Sequence, residues 1–169
     1  RRTRRDEAQL ANAARVLGVP EPEGSTSPLP GVVEALQAGG IFYRVAGTDR
    51  ESVIRAIVDL LRLPDGADRE FLFRVMLARE DLASTGIGDG IAIPHGRMAG
   101  LPGVVVAFGR SRRGVDFQSM DGRPVHLFFL FITPEERPGD HLSVLRRLAR
   151  ITRNPVLREQ LLHSTDRRE

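Results

Sequence analysis

The chain has 169 residues, 41% hydrophobic and 28% charged, with a formal net charge of +3; that length suits one domain with one sizeable core and a short appendage. Cysteine is absent, which excludes disulfide frameworks, thiolate zinc sites and thiol nucleophiles and fits a cytoplasmic protein. The longest apolar run, Val125 to Ile132, is broken by His126 and is too short to cross a bilayer, and no secretory signal pattern opens the chain.

There is no lysine, so every basic side chain is arginine. Arginine keeps its proton near neutral pH, and its exclusive use beside many Ala, Gly and Pro reflects a composition bias. A general nucleic-acid surface is therefore weakly supported, and the one basic cluster is Arg1, Arg2, Arg4 and Arg5.

In chain order, Leu10, Ala13, Ala14 and Leu17 fall at helical spacing and predict a short helix over residues 6 to 17. Gly18 to Pro30 holds Pro20, Pro22, Pro28 and Pro30 around a Gly-Ser-Thr-Ser stretch, a linker and the best candidate boundary. A short helix from Val32 leads to Gly39-Gly40 and a strand over Ile41 to Val45. Thr48 with Glu51 reads as a capping box opening a helix through Val53, Ile57, Leu60 and Leu61. Asp68 caps a second helix bearing Phe71, Leu72, Val75 and Met76, which ends at Arg79, Glu80 and Asp81. Glycine-rich sequence then enters a short strand at Ile91 to Ile93.

Further strands are expected at Val104 to Arg110 and Val125 to Ile132, separated by a turn at Asp121-Gly122. A helix follows from about Gly139 to Ile151, and Asn154-Pro155 starts the last one, with an N-cap and then proline at the first helical position. Strands interleaved with helices make an α/β (α+β) sandwich.

Chemistry concentrates between Ser84 and Arg97, in Ser-Thr-Gly-Ile-Gly-Asp-Gly-Ile-Ala-Ile-Pro-His-Gly-Arg. Proline restricts Ile93 to extended backbone, so Pro94 presents His95 from a stiff stem as an exposed imidazole at a strand end. Gly96 leaves the backbone open to a partner or a phosphate. A histidine with an ordinary pKa of about 6.5 is a nucleophile at cellular pH. By itself, however, Pro-His-Gly is more often a turn than a site, and without lysine the glycines cannot form a phosphate-binding Walker loop.

The segment Leu77 to Arg97 resembles the active-site signature of the enzyme IIA proteins of the phosphoenolpyruvate-dependent phosphotransferase system, in the fructose/mannitol and nitrogen-regulatory superfamily. The resemblance continues in Gly114-Val115-Asp116-Phe117, in Asp121-Gly122-Arg123-Pro124-Val125, in Leu127 to Thr133 before Pro134, and in His141-Leu142. It covers about residues 29 to 163. It implies a mixed sheet of about five strands flanked by helices on both faces, over residues 29–169. Residues 1–28 are then an N-terminal helix and Pro-rich linker, a possible remnant of an upstream segment.

The resemblance implies that His95 accepts a phosphoryl group from the phosphohistidine of the small carrier HPr. The group then passes to a IIB domain, or stays as a regulatory mark. His141 matches the family's second pocket histidine, in the first turn of a helix where anions are favoured. Arg79 matches an arginine that binds the phosphoryl group or an acidic partner residue, and Ser84 and Thr85 match a polar pair suited to phosphate or to the base of the loop. His126 stands where relatives commonly carry aspartate, and it and His163 are expected to be structural or surface residues. No cofactor and no metal are called for.

Within the resemblance, the run from Ser84 to Arg97 and the Phe-Phe-Leu-Phe strand lie closer to the regulatory branch, with sugar uptake as the alternative. A further alternative, motivated by the arginine cluster, is a phosphorylation-sensing module joined to an upstream DNA-binding domain.

Overall fold

The computed structural model describes Leu36 and residues 39 to 163. The expected helix over residues 6 to 17, the linker, the boundary near residue 28 and most of the helix from Val32 lie outside the described residues.

Strand β1 is Gly40–Phe42, shorter than expected because the chain leaves the sheet at Tyr43, although the Val45 N–H still donates to the Arg110 carbonyl at 2.9 Å. Helix α1, Arg50–Leu60, is capped one residue later than Thr48: the Asp49 carboxylate accepts from the Ser52 N–H, and the Ser52 hydroxyl accepts from the Asp49 N–H. A carboxylate is the stronger acceptor at the positive end of a helix, so the box forms on Asp49 and Ser52 rather than on Thr48 and Glu51. Helix α2, Arg69–Leu82, is capped by Asp68 as expected, with its side chain accepting from the Phe71 N–H at 3.0 Å.

The glycine-rich stretch contains a hairpin absent from the expected elements. Strand β2, Gly86–Gly88, pairs antiparallel with β3, Ile91–Ala92, across a two-residue turn. Asp89 and Gly90 both take positive φ, 56° and 77°, the left-handed geometry that an Asp-Gly hairpin turn requires. Strand β4, His95–Met98, was also unanticipated. The long strands are β5, Val105–Val115, and β6, Val125–Pro134; helices α3, Pro138–Thr152, and α4, Pro155–His163, follow. The Asn154 side chain caps α4 by accepting from the Val156 N–H at 3.0 Å.

Among the described residues, six strands form one mixed sheet in the order β1-β5-β6-β3-β2, with β4 pairing parallel to β6 beyond β3. Helices α1 and α2 cover one face with Val53, Ile54, Ile57, Leu72, Phe73 and Met76, packing on Ala107, Phe128, Leu130 and Ile132. Helix α3 covers the other face, with Val144 and Leu148 against Val106, Phe108, Phe129 and Phe131. Alternate β6 side chains thus enter opposite cores, as period-2 geometry demands, and full burial of each large apolar side chain contributes about 1.5–3 kcal/mol. The pattern slips at the start of β6, where Arg110 pairs with Leu127 but Val115 pairs with Val125. On β6 the His126 and Leu127 N–H groups both bond to the Gly90 carbonyl, a bulge across which Val125 falls on the α1–α2 side, while β5 carries extra residues opposite it.

Candidate functional site

Residues 91 to 98 follow one path along β6. Ile91 and Ala92 pair with Leu127 and Phe128, and His95 to Met98 pair with Phe131 to Pro134. Ile93-Pro94 interrupts the path, since proline has no N–H for the ladder. On the side away from β6, Ile93 donates its N–H to the Thr85 carbonyl at 3.0 Å, one rung beyond the Gly86–Ala92 pair of β2 and β3, while the Pro94 carbonyl accepts from the Phe131 N–H at 3.0 Å. The stem expected from Pro94 is therefore held at both ends.

His95 emerges at the start of β4 on the α3 face. Its ring stacks on Phe131, with centroids 5.2 Å apart and planes 14° from parallel. The imidazole is not the exposed group expected from sequence: only 7% of His95 is accessible, because Phe131 lies under its ring and His141 meets its edge. Nδ1 sits 2.8 Å from the Ile93 carbonyl oxygen. A carbonyl only accepts, so Nδ1 carries the proton and Nε2 keeps its lone pair. Burial is the largest influence on His95 and lowers its pKa; the Ile93 bond opposes this, while Arg79 and Arg97 add to the lowering.

His141, in the first turn of α3, lies with its ring centroid 5.0 Å from that of His95. Its Nδ1 shares a 2.7 Å hydrogen bond with the Thr133 hydroxyl, and Thr133 is fully buried in β6. Burial first, then His95, Arg97 and Arg79, push its pKa down to about 4. Both imidazoles are thus neutral at pH 7, and each has one nitrogen tied to a fixed group.

This neutrality has a measurable consequence. The folded pKa values lie below the unfolded value near 6.5, so the unfolded chain binds more protons in acid. The two histidines therefore contribute a loss of stability as pH falls from about 6.5 toward 4, and no pH dependence above about 7. NMR titration of the ring protons should find His141 uncharged down to pH 5, and His141→Asn should flatten the fall in denaturant midpoint between pH 7 and 5. A His141 midpoint near 6.5 would contradict the burial argument.

The sequence-derived residues fall into two groups. His95 and His141 come together, and Arg79, in the last turn of α2, is close enough to bias both, although its guanidinium also donates to the Ala83 carbonyl at 3.0 Å. Ser84, Thr85 and Gly96 are engaged elsewhere. The Ser84 hydroxyl donates to the Phe117 carbonyl and accepts from the Gly86 N–H. The Thr85 hydroxyl is buried on Glu80. A Cβ at Gly96 would lie 2.7 Å from Met76 Sδ, so that glycine admits helix α2 on the face opposite His95 rather than opening the backbone to a ligand. His126 is structural as expected, donating from Nδ1 to the Ser111 carbonyl within the β5 bulge, and His163 is exposed beside Glu159.

Sequence reasoning overlooked Arg97 and Thr133 as site residues. Arg97 is the exposed residue of β4, two positions beyond His95 and so on the same side of the strand; period-2 counting from His95 would have found it. Thr133 is cued only by its place opposite Arg97 in β6.

The arrangement joins a nucleophilic nitrogen, a second imidazole at the positive end of a helix, and two arginines. Groups of these kinds are chemically suited to holding an anion beside a nucleophilic nitrogen. Residues 34–169 match the family described as phosphoenolpyruvate-dependent sugar phosphotransferase system, EIIA 2. The chain belongs to that family. It is 43% identical over 101 residues to a nitrogen regulatory protein of Bradyrhizobium diazoefficiens, covering 60% of this chain and 66% of the relative. It is 37% identical over 134 residues to the fructose-specific EIIABC component of Bacillus subtilis, covering 79% of this chain but only 21% of that longer protein. Among solved structures, the nitrogen regulatory protein IIA-Ntr of Neisseria meningitidis superposes with a TM-score of 0.69 at 36% identity, covering 75% of this chain and 86% of that one. The IIA mannitol protein of Escherichia coli, at 24% identity and a TM-score of 0.59, shares the fold. Among the described residues, no helix is long and apolar enough to cross a membrane.

Proposed function

We propose that this protein is a phosphohistidine carrier that takes a phosphoryl group onto Nε2 of His95 from the phosphohistidine of an HPr-like protein. The single observation that carries the reading is the Nδ1–Ile93 hydrogen bond, which leaves Nε2 as the nucleophile of a neutral ring. In the transfer, the Nε2 lone pair forms the new N–P bond as the donor's N–P bond breaks, and the departing pair returns to the donor imidazole. His141 and Arg97 contribute donors and positive charge where the phosphoryl oxygens accumulate negative charge, with Arg79 adding charge from α2. Positioning and such charge stabilisation supply most of the catalysis in phosphoryl transfer. A neutral His141 has a particular use here: with Thr133 donating to Nδ1, its Nε2–H donates to a phosphoryl oxygen, and the added negative charge raises its pKa and strengthens that bond.

The role favoured is regulatory. The structural likeness to a nitrogen regulatory protein, at 36% identity, supports it over the mannitol-type protein at 24%. The fructose-specific relative supports the alternative, in which His95 hands its phosphoryl group to a IIB domain.

Incubation with phosphoenolpyruvate, enzyme I and HPr should give one phosphoryl adduct, acid-labile and base-stable, with the phosphorus on Nε2 of the imidazole by NMR. Absence of an adduct, or phosphorus on Nδ1, would refute the assignment.

A further inference from the structure

Glu80 is a buried carboxyl that the transfer chemistry does not use. It lies on the last turns of α2, only 1% exposed, and its side chain reaches past the end of its own helix. One carboxylate oxygen accepts from the Thr85 N–H at 2.8 Å and the other from the Thr85 hydroxyl at 2.6 Å. The Thr85 carbonyl accepts from the Ile93 N–H at 3.0 Å, and the Ile93 carbonyl accepts from His95 Nδ1 at 2.8 Å.

We propose that Glu80 is a positioning residue for His95, holding Thr85 in both directions so that Ile93 is fixed and its carbonyl locks the imidazole in the Nδ1–H tautomer. The proposal rests on His95 being the phosphoryl acceptor.

Three features support a role beyond closing a turn. First, a carboxylate costs far more to bury than the small hydroxyl or amide that ordinarily closes a loop; burial raises the pKa of Glu80 against the pull of its Thr85 bonds and of Arg50 and Arg79. Second, both oxygens are spent on one residue, Thr85, which fixes its backbone and side chain together. Third, Thr85 is the residue whose carbonyl holds Ile93 across the Ile93-Pro94 break. Pro94 has no N–H, so the β6 ladder loses a rung there, and the Thr85 bond, the next rung of the β2–β3 pairing beyond Gly86 and Ala92, is what holds Ile93 beside that break. Loosening Thr85 therefore frees the Ile93 peptide to rotate, and the His95 ring loses the acceptor that selects its tautomer. The Nε2–H tautomer has no lone pair at the attacking nitrogen.

Long-range proton–nitrogen NMR of the unphosphorylated protein at pH 7.5 reads the tautomer directly. Native protein should show His95 as Nδ1–H alone. Glu80→Ala should admit the Nε2–H form and slow phosphorylation by HPr about tenfold to a hundredfold, the scale expected of a small misplacement of a reacting group. Glu80→Gln keeps an acceptor oxygen for the Thr85 N–H and an amide for the hydroxyl, and should restore both the tautomer and the rate to within about twofold. Thr85→Val removes the hydroxyl bond alone and should fall between them, which keeps the proposal testable if Glu80→Ala does not fold. A single Nδ1–H tautomer with native rate in Glu80→Ala or Thr85→Val would overturn the proposal, and so would a Glu80→Gln protein as slow as Glu80→Ala. If another residue is the acceptor, the adduct survives in His95→Ala while the tautomer change in Glu80→Ala remains, so the two failures are distinguishable.

Discussion

His95→Ala is expected to reduce phosphoryl incorporation to background, about three orders of magnitude or more below the native protein, as loss of a nucleophile does. The loss follows from geometry. His141 cannot replace His95, because its ring lies 5.0 Å away and its Nδ1 is engaged by Thr133. His126 is bonded inside the β5 bulge, and His163 is on the far end of α4. Fold and stability should change little, since the His95 backbone still pairs with Phe131 and the ring's removal opens the site to solvent. His141→Ala, by contrast, should keep the adduct on His95 and slow its formation by about a hundredfold, the scale for losing one charge-stabilising donor. Radiolabel incorporation with thermal melts on both variants separates the cases. An adduct that persists in His95→Ala shows the acceptor to be another residue; unchanged kinetics in His141→Ala remove that residue from the mechanism.

Phe131→Ala is expected to cost about 3–5 kcal/mol of stability, the range for removing a large buried aromatic side chain. Phe131 is fully buried on the α3 face of the sheet. Its ring also touches both imidazoles of the candidate site, stacked on His95 and tilted against His141 at 5.1 Å. Removing it creates a cavity beneath the site and lets water reach His95, whose pKa should return upward toward 6.5 as burial weakens. Phosphorylation at pH 7 should fall on both counts, since the ring is less well placed and more often protonated. Phe131→Leu keeps most of the volume and should cost less than about 1.5 kcal/mol, while still losing the stack. Urea unfolding and a His95 titration on the two variants test this. A His95 pKa unchanged in Phe131→Ala would show that Phe131 does not supply its burial.

Most of the elements were legible because local rules decided them. Apolar spacing placed α2 and α3, Asp68 and Asn154-Pro155 marked helix starts, and the continuous apolar run marked β6. Strand β3 was legible at Ile91 to Ile93, and the hairpin carried its own cue in Asp89-Gly90, but the three residues of β2 give too little periodicity to register. The cap of α1 shifted by one residue because Thr48 and Asp49 are both competent and only the carboxylate geometry chooses.

The site divides in the same way. His95 behind Pro94, and its match to a family signature, are properties of adjacent residues, so the sequence alone determined which histidine is the candidate acceptor and what chemistry it would do. The tertiary structure decided how that histidine is held. Its burial comes from Phe131 and His141, its tautomer from the Ile93 carbonyl, and the lock on Ile93 from Thr85 and Glu80. It also decided that Gly96 faces α2 and that Ser84 and Thr85 are spent within the loop. These are contacts between segments distant in sequence, brought together by a sheet and two helix layers. No local periodicity encodes the side of β4 on which a side chain emerges or the neighbour it meets there, because both depend on the register of β4 against β6.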